Sequence, residues 1–190
     1  MIRGLLLAGG AATRFGGAKL MAAAADHATP IGVRAAKALL AGAGNALAVV
    51  RPGDAALAQA LREAGCDILE APDALRGLGA SLSSGVKASR DAEGWLVALA
   101  DMPRIHAATH RAVAAALARG AKLAAAADST GRRGHPVGFG ADLYADLAAL
   151  DGDEGARSVV EHHRAWLEVV RVDDPGIFFD IDTLGDLAGA

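Results

Sequence analysis

Cysteine is nearly absent: Cys66 is the single one in 190 residues. That excludes an internal disulfide framework and a thiolate zinc site, and it fits a reduced compartment. Positive charge is not in excess either. Lys and Arg number 19 against 22 Asp and Glu, a formal charge of −3, so the chain lacks the basic field that neutralises nucleic-acid phosphates. The apolar run of the opening MIRGLLLAGG ends after about five residues, short of the roughly 7–15 of a signal-peptide core and of a membrane span. A soluble, cytoplasmic protein with neither a nucleic-acid nor a membrane partner is expected. Repeats, long linkers and charge blocks are missing too, so residues 1–190 read as a single domain, able to bury roughly 70% of the surface its unfolded form exposes.

What is present is a regular alternation of apolar runs with alanine-rich amphipathic stretches. IRGLLLA reads as a buried strand, and TPIGVRAAKALLAG as a helix with Thr29 as N-cap, Pro30 in the first turn and Gly42 as its stop. NALAVV and CDILEA are strands around a helix capped by Asp54 and ended at Gly65, and a further helix is expected to start at Ser81. GWLVALA, Gly94 to Ala100, has the doubly apolar character of a central parallel strand covered on both faces. A helix, the strand KLAAAA, a polar turn DSTGRRG, the strand PVGFG and two more helices follow. AWLEVVRV is then a strand, and DIDTLGDLAG a strand end with a short helix. The pattern predicts a three-layer α/β domain with a mostly parallel sheet.

The first strand runs into LAGGAATRFGGAKL, four glycines with one arginine and one lysine. Neither a Walker A loop nor a dinucleotide fingerprint fits its spacing. What remains is either a turn-forming surface loop or a glycine-rich passage whose N–H groups wrap an anion, with Arg14 and Lys19 gripping the same phosphates. Strand ends supply the complement. In LVALADMP, Asp101 stands at the carboxyl end of a central strand, where open α/β sheets bind ligands and where a phosphate-bound metal seeks a hard carboxylate. In FFDIDT, Asp180 and Asp182 point to one face if the segment is a strand. Asp182 or Thr183 serves equally as N-cap of the last helix, so Asp180 is the favoured metal ligand and Asp182 the second choice, ligand or cap.

Six ordered segments, LLLAGGAATRFGGAKL, GLGASLSSGV, ALADMP, GRRGHPV, LDGDEGAR and FFDIDTLGDL, together resemble the nucleotidyltransferases that attach a nucleotide to the molybdenum cofactor, most closely their cytidylyltransferase branch. The resemblance covers nearly the whole chain. It implies a Rossmann-like nucleotidyltransferase fold, a nucleoside triphosphate with Mg²⁺, and molybdopterin as acceptor. By the same resemblance Leu7, Ala8, Gly9, Gly10, Arg14 and Lys19 carry the triphosphate, Asp101 the metal, and Gly79 and Ser81 meet base and ribose. Arg14, Lys19 and Asp101 are thus the expected catalytic set. LAGG is the form of the guanylyl branch, whereas GRRGHPV and FFDIDT resemble the cytidylyl branch. CTP is the expected donor and GTP the alternative, with Gly9→Ala expected to be tolerated by a CTP enzyme.

The remaining conspicuous residues admit two readings each. Ser81 is a ribose contact or a cap. Arg132, Arg133 and His135 contact the acceptor or form a polar turn, and Asp153 and Glu154 form a solvated turn or orient Arg157 toward the site. Trp95 and Trp166 are expected as core anchors, and Cys66 as an inert buried thiol. His162 and His163 are adjacent on a helix and cannot share a face as a metal pair. A phosphomonoester attacking an α-phosphorus is already ionised near neutral pH, so the site needs charge control more than a general base. Competing classes are a non-catalytic cofactor-binding chaperone and a sugar nucleotidyltransferase, and a transient molybdoenzyme or chaperone is the expected protein partner of the transferase.

Overall fold

The computed structural model describes residues 1–10, 18–23 and 28–188. Arg14 lies outside the described residues. Seven strands form one sheet: β1 (Ile2–Leu7), β2 (Leu47–Val50), β3 (Asp67–Glu70), β4 (Gly94–Leu99), β5 (Leu123–Ala127), β6 (Arg133–Gly140) and β7 (Leu167–Arg171). Their order is β3-β2-β1-β4-β6-β5-β7. All neighbours are parallel except β6, which runs antiparallel to both β4 and β5. The helices are α1 (Ile31–Ala43), α2 (Ala55–Glu63), α3 (Leu78–Ala88), α4 (Ala107–Ala118), α5 (Tyr144–Ala148), α6 (Arg157–His162) and α7 (Leu184–Ala188).

Strand alternation sorts the core into two layers. Leu6, Ala48, Leu96 and Ala98 face one side, against Leu39 of α1, Leu57 and Leu61 of α2 and Val113 of α4. Leu5, Leu7, Val49, Trp95 and Val97 face the other, against Leu82 and Val86 of α3, Leu147 of α5 and Val159 of α6. This is the expected three-layer architecture. Both faces of β1 and β4 are apolar because helices cover both. No described helix is long and apolar enough to cross a membrane.

Several boundaries differ from expectation. The left-handed stop of α1 is Gly44 (φ 78°), and its N-cap position is Pro30. Gly42 lies inside the helix, where an added Cβ would run into His110 of α4 and stand 2.7 Å from Ala107 O, so it is the contact that lets two helices approach. α3 begins at Leu78, three residues before Ser81. Arg133 to His135 belong to β6, not to the preceding turn. Trp95 is a core anchor, fully buried with its Nε1 donating to Ser89 Oγ at 3.0 Å. Trp166 is not: it is 42% exposed, stacked on His163. Burial lifts the Cys66 thiol to about 11, which keeps it protonated.

His110 sits 2% exposed in this packing, and burial pulls its imidazole down to about 4. The folded chain therefore holds it neutral where the unfolded chain, titrating near 6.5, takes up a proton. A depressed folded pKa stabilises the fold above the unfolded value, and this contribution is lost as pH falls from about 6.5 to about 4. For a displacement of this size it is about 3 kcal/mol. Urea midpoints measured across that window should fall more steeply for the natural chain than for His110→Gln. Parallel profiles would remove His110 from the acid response.

Candidate active site

The chain order reverses at β1. It steps from β1 to β2 on one side, and β4 pairs along its other edge, so ligands belong in the crevice beyond these carboxyl ends. Leu7 is in register with Leu99, and Ala100 N donates to Leu7 O at 3.1 Å while Ala8 N donates to Val49 O at 2.9 Å. The exit of β1 is thereby pinned between its neighbours, and Asp101 emerges beside it, half-buried at the end of β4.

Into this crevice the short 3-10 turn Lys19–Met21 sends a nearly buried lysine. Lys19 Nζ donates to Asp101 Oδ2 at 2.9 Å and to Asp182 Oδ1 at 3.3 Å. Two carboxylates facing each other repel, and an ammonium between them offsets that repulsion. Asp182 arrives by an irregular segment in place of the expected strand, tied where Ile181 N donates to Asp101 O at 3.0 Å. The start of the segment is fixed by Asp174, whose buried carboxylate accepts from His106 N at 2.8 Å and Gly176 N at 3.0 Å and also from the Thr109 hydroxyl. Asp180 is exposed and does not line the crevice. Capping of α7 falls to Thr183. Asp186 N donates to Thr183 Oγ1 at 3.3 Å, and Thr183 N donates back to Asp186 Oδ2 at 2.7 Å. Asp182 is thus not spent on a cap, and it is Asp182, not Asp180, that meets Lys19 in the crevice.

The glycine-rich neighbourhood is closely built. Leu7, Ala8 and Gly10 line the crevice with Lys19 and Asp101. A Cβ on Gly9 would stand 2.8 Å from Ala74 Cβ and 3.0 Å from Ser81 Oγ, whereas one on Gly10 meets nothing within 4 Å. Gly9→Ala therefore displaces the turn before α3 whichever base is used, which corrects the expectation of tolerance. Ser81 is neither a cap nor open to the crevice: it lies one turn into α3, 1% exposed, with its hydroxyl donating to Gly77 O at 3.0 Å. Gly79 N donates to Gly152 O at 2.8 Å, and a Cβ there would sit 2.8 Å from Asp151 O. In this structure Gly79 thus seats the loop 151–155 on α3, and its N–H is already engaged.

That loop walls a second cavity of about 540 Å³, which shares Leu7, Leu78 and Leu99 with the first. Its floor is apolar, formed by Val97, Val137 and Phe139, and its rim carries Arg133, His135, Glu154, Arg157 and Glu161. Arg133 is held by Glu161 at 2.8 Å. Burial keeps the His135 imidazole below the usual histidine range against the opposing pull of Asp101 and Asp180, and its Nδ1 is shielded without a hydrogen-bond partner among the described residues. β6 brings His135 and Arg133 to one cavity because residues two apart on a strand share a face.

The sequence of residues 4–167 matches the model of the MobA-like NTP transferase domain. The chain belongs to this family. No curated protein matches it in sequence. Among solved structures this MobA-like NTP transferase is similar to Rv0371c from Mycobacterium tuberculosis H37Rv, with TM-score 0.82 and 23% identity over 100% of this chain and 98% of the other. A homolog of that protein from Mycobacterium sp. strain JC1 gives TM-score 0.80 and 28% identity over 99% and 96%. A nucleotidyl transferase from Methanothermobacter thermautotroptrophicus gives TM-score 0.80 and 23% identity over 98% and 94%. A complex of Rv0371c with manganese also matches, with TM-score 0.78 and 22% identity over 97% and 95%. The chain is a nucleotidyltransferase of the same fold.

Two site residues of this transferase were not singled out from the sequence. Arg51, half-buried beyond β2, lines the Lys19 crevice. Asp174 sets the segment that delivers Asp182. The signal for Arg51 was its place at a strand's carboxyl end, the same that marked Asp101. Asp174 carried none, because the partners that tie it to α4, His106 and Thr109, are 68 and 65 residues away.

Proposed function

We propose that this MobA-like transferase moves CMP from CTP to the phosphate of molybdopterin, releasing pyrophosphate, with Mg²⁺. One observation carries the reading: Lys19 lies between Asp101 and Asp182 in a cavity against the exit of β1, and that cavity shares Leu7, Leu78 and Leu99 with a second one rimmed by Arg133, His135 and Arg157. The first suits a triphosphate and the second an acceptor. The six ordered motifs support the molybdopterin acceptor and the cytidine base.

The donor set fits a hard cation. No cluster of three potential ligands occurs among the described residues, but Mg²⁺ is commonly bound by one or two carboxylates with substrate phosphates completing the shell. Asp101 and Asp182 would hold it, and the manganese complex of Rv0371c supports a divalent metal. When bound, such an ion stabilises charge on the reacting phosphates. Lys19 keeps the two carboxylates converged and adds positive charge where the polyphosphate lies; Arg14, outside the described residues, is assigned to the same polyphosphate from its motif. The acceptor phosphate is ionised near neutral pH and needs no strong base. Neutral His135 donates or accepts a hydrogen bond, and Arg157, without an ion pair among the described residues, attracts the acceptor phosphate. Leu7, Leu78 and Leu99 give the junction an apolar wall that excludes water.

GTP is the second reading, favoured by LAGG at Leu7–Gly10. Equal CTP and GTP in competition, with Mg²⁺ and purified molybdopterin, separate the two. The cytidylyl product should predominate, since a base site whose polar groups the wrong base leaves unpaired rejects it by several kcal/mol, of the order of ~10⁴-fold. Predominant guanylyl product overturns the base, and pyrophosphate release with neither nucleotide overturns the acceptor.

A further inference from the structure

Away from the Lys19 crevice, a cavity of about 460 Å³ is lined by Arg34 of α1, Arg104 from the loop after β4, and His106 at the start of α4, with Gly176 and Phe179 on the facing wall. None of the described residues lining it is acidic. Arg104 is held in place over the Phe179 ring, its Cζ 4.0 Å from the ring centroid. Arg34 Nη1 is shielded from solvent and has no hydrogen-bond partner among the described residues. An arginine never sheds its proton, so a guanidinium in that position carries an uncompensated cost until an acceptor arrives. The neighbouring carboxylate, Asp174, does not supply one. Its oxygens are engaged by His106 N, Gly176 N and the Thr109 hydroxyl, and the nearest ring nitrogen of His106 stands 3.7 Å away.

We infer that this cavity binds a tetrahedral oxyanion, a phosphate group carried by a small molecule, at a place separate from the nucleotide crevice. Guanidinium forks match phosphate and carboxylate alike. Donors on two segments, Arg34 of α1 and Arg104 with His106 ahead of α4, converge on one cavity and suit a tetrahedral anion, which presents oxygens on every side, better than a planar one. The cavity also has a bearing on the transferase site. One wall continues from Asp101 through Pro103 to His106, and the other, Pro175 to Phe179, leads directly into Asp180 and Asp182. An anion held between them fastens together the two segments that carry the crevice carboxylates.

Sulfate, a tetrahedral dianion that does not titrate near neutral pH, is the first probe, added to the full chain at constant ionic strength while amide signals are followed by NMR. Signals of Arg104, His106, Gly176 and Phe179 should move saturably in the natural chain and equally in Lys19→Ala. In Arg104→Gln, a loop variant that spares the core, sulfate should bind about tenfold more weakly, the loss of one charge-assisted hydrogen bond. In Arg34→Gln/Arg104→Gln the saturable shift should vanish; should that double variant not fold, Arg104→Gln alone decides. Shifts confined to the Lys19 crevice, unchanged affinity in Arg104→Gln, or tighter binding of succinate than of sulfate each overturn the proposal. In the Lys19→Ala background, pyrophosphate and glycerol 3-phosphate then separate a product of the transfer reaction from an independent phosphate ester, and binding of neither overturns a phosphate site.

Discussion

Asp101→Asn is expected to cut metal-dependent nucleotidyl transfer by about 10³-fold or more while the chain stays folded. The size follows from what the change removes. A neutral amide of the same shape takes away the hard anionic oxygen at the end of β4, together with the stabilisation of developing phosphate charge that depends on it. The fold is spared because Asp101 is held to the 181–182 segment through its backbone carbonyl, which asparagine keeps. Its side chain also retains 28% exposure at a strand end instead of sitting in the core. The companion variants locate the second ligand. Asp182→Asn should come close to the Asp101 effect, because Asp182 shares Lys19 with Asp101 at 3.3 Å and 2.9 Å, whereas Asp180→Asn, on an exposed residue, should leave most turnover. Initial rates of pyrophosphate release at saturating Mg²⁺ measure all three. Near-normal rates in Asp101→Asn, or an essential Asp180 beside a dispensable Asp182, would sink the assignment.

Lys19→Ala should lower kcat by about 10²- to 10³-fold, or about 3 to 4 kcal/mol, with a smaller change in KM for the nucleotide. The ammonium acts in two ways. It supplies charge that matters most as negative charge builds on the bridging and leaving oxygens, and it holds Asp101 and Asp182 converged, which two carboxylates do not do unaided. Lys19→Arg separates the two: the charge is kept, but the planar fork cannot replace a compact ammonium seated between two carboxylates, so only partial recovery is expected. Steady-state kinetics with varied nucleotide decide the matter, and wild-type kcat in the alanine variant would remove Lys19 from the reaction.

The local chemistry of the chain was enough to settle the layered α/β architecture, the central place of GWLVALA and the emergence of Asp101 at a carboxyl end. Each follows from period-two apolarity or from a residue's distance from a strand end, and both are properties of neighbours in sequence. The ordered motifs likewise led to the nucleotidyltransferase family. Decisions between residues with equivalent local context were made by tertiary structure. Asp180 and Asp182 are two residues apart in an acidic, aromatic segment, and only the Ile181–Asp101 backbone hydrogen bond and the Thr183–Asp186 cap determine which carboxylate reaches Lys19. Gly42 looked like a helix stop because glycine ends helices. It is instead the point where α1 meets His110 of α4, a contact set by packing across 68 residues. Gly9 gave no sign of its proximity to Ala74 and Ser81, and Trp166 none of its exposure. The physical reason is the same in every case: pattern and propensity report what a residue prefers with its sequence neighbours, while the identity of a ligand, a seam or a close approach depends on which distant segment the folded sheet brings alongside.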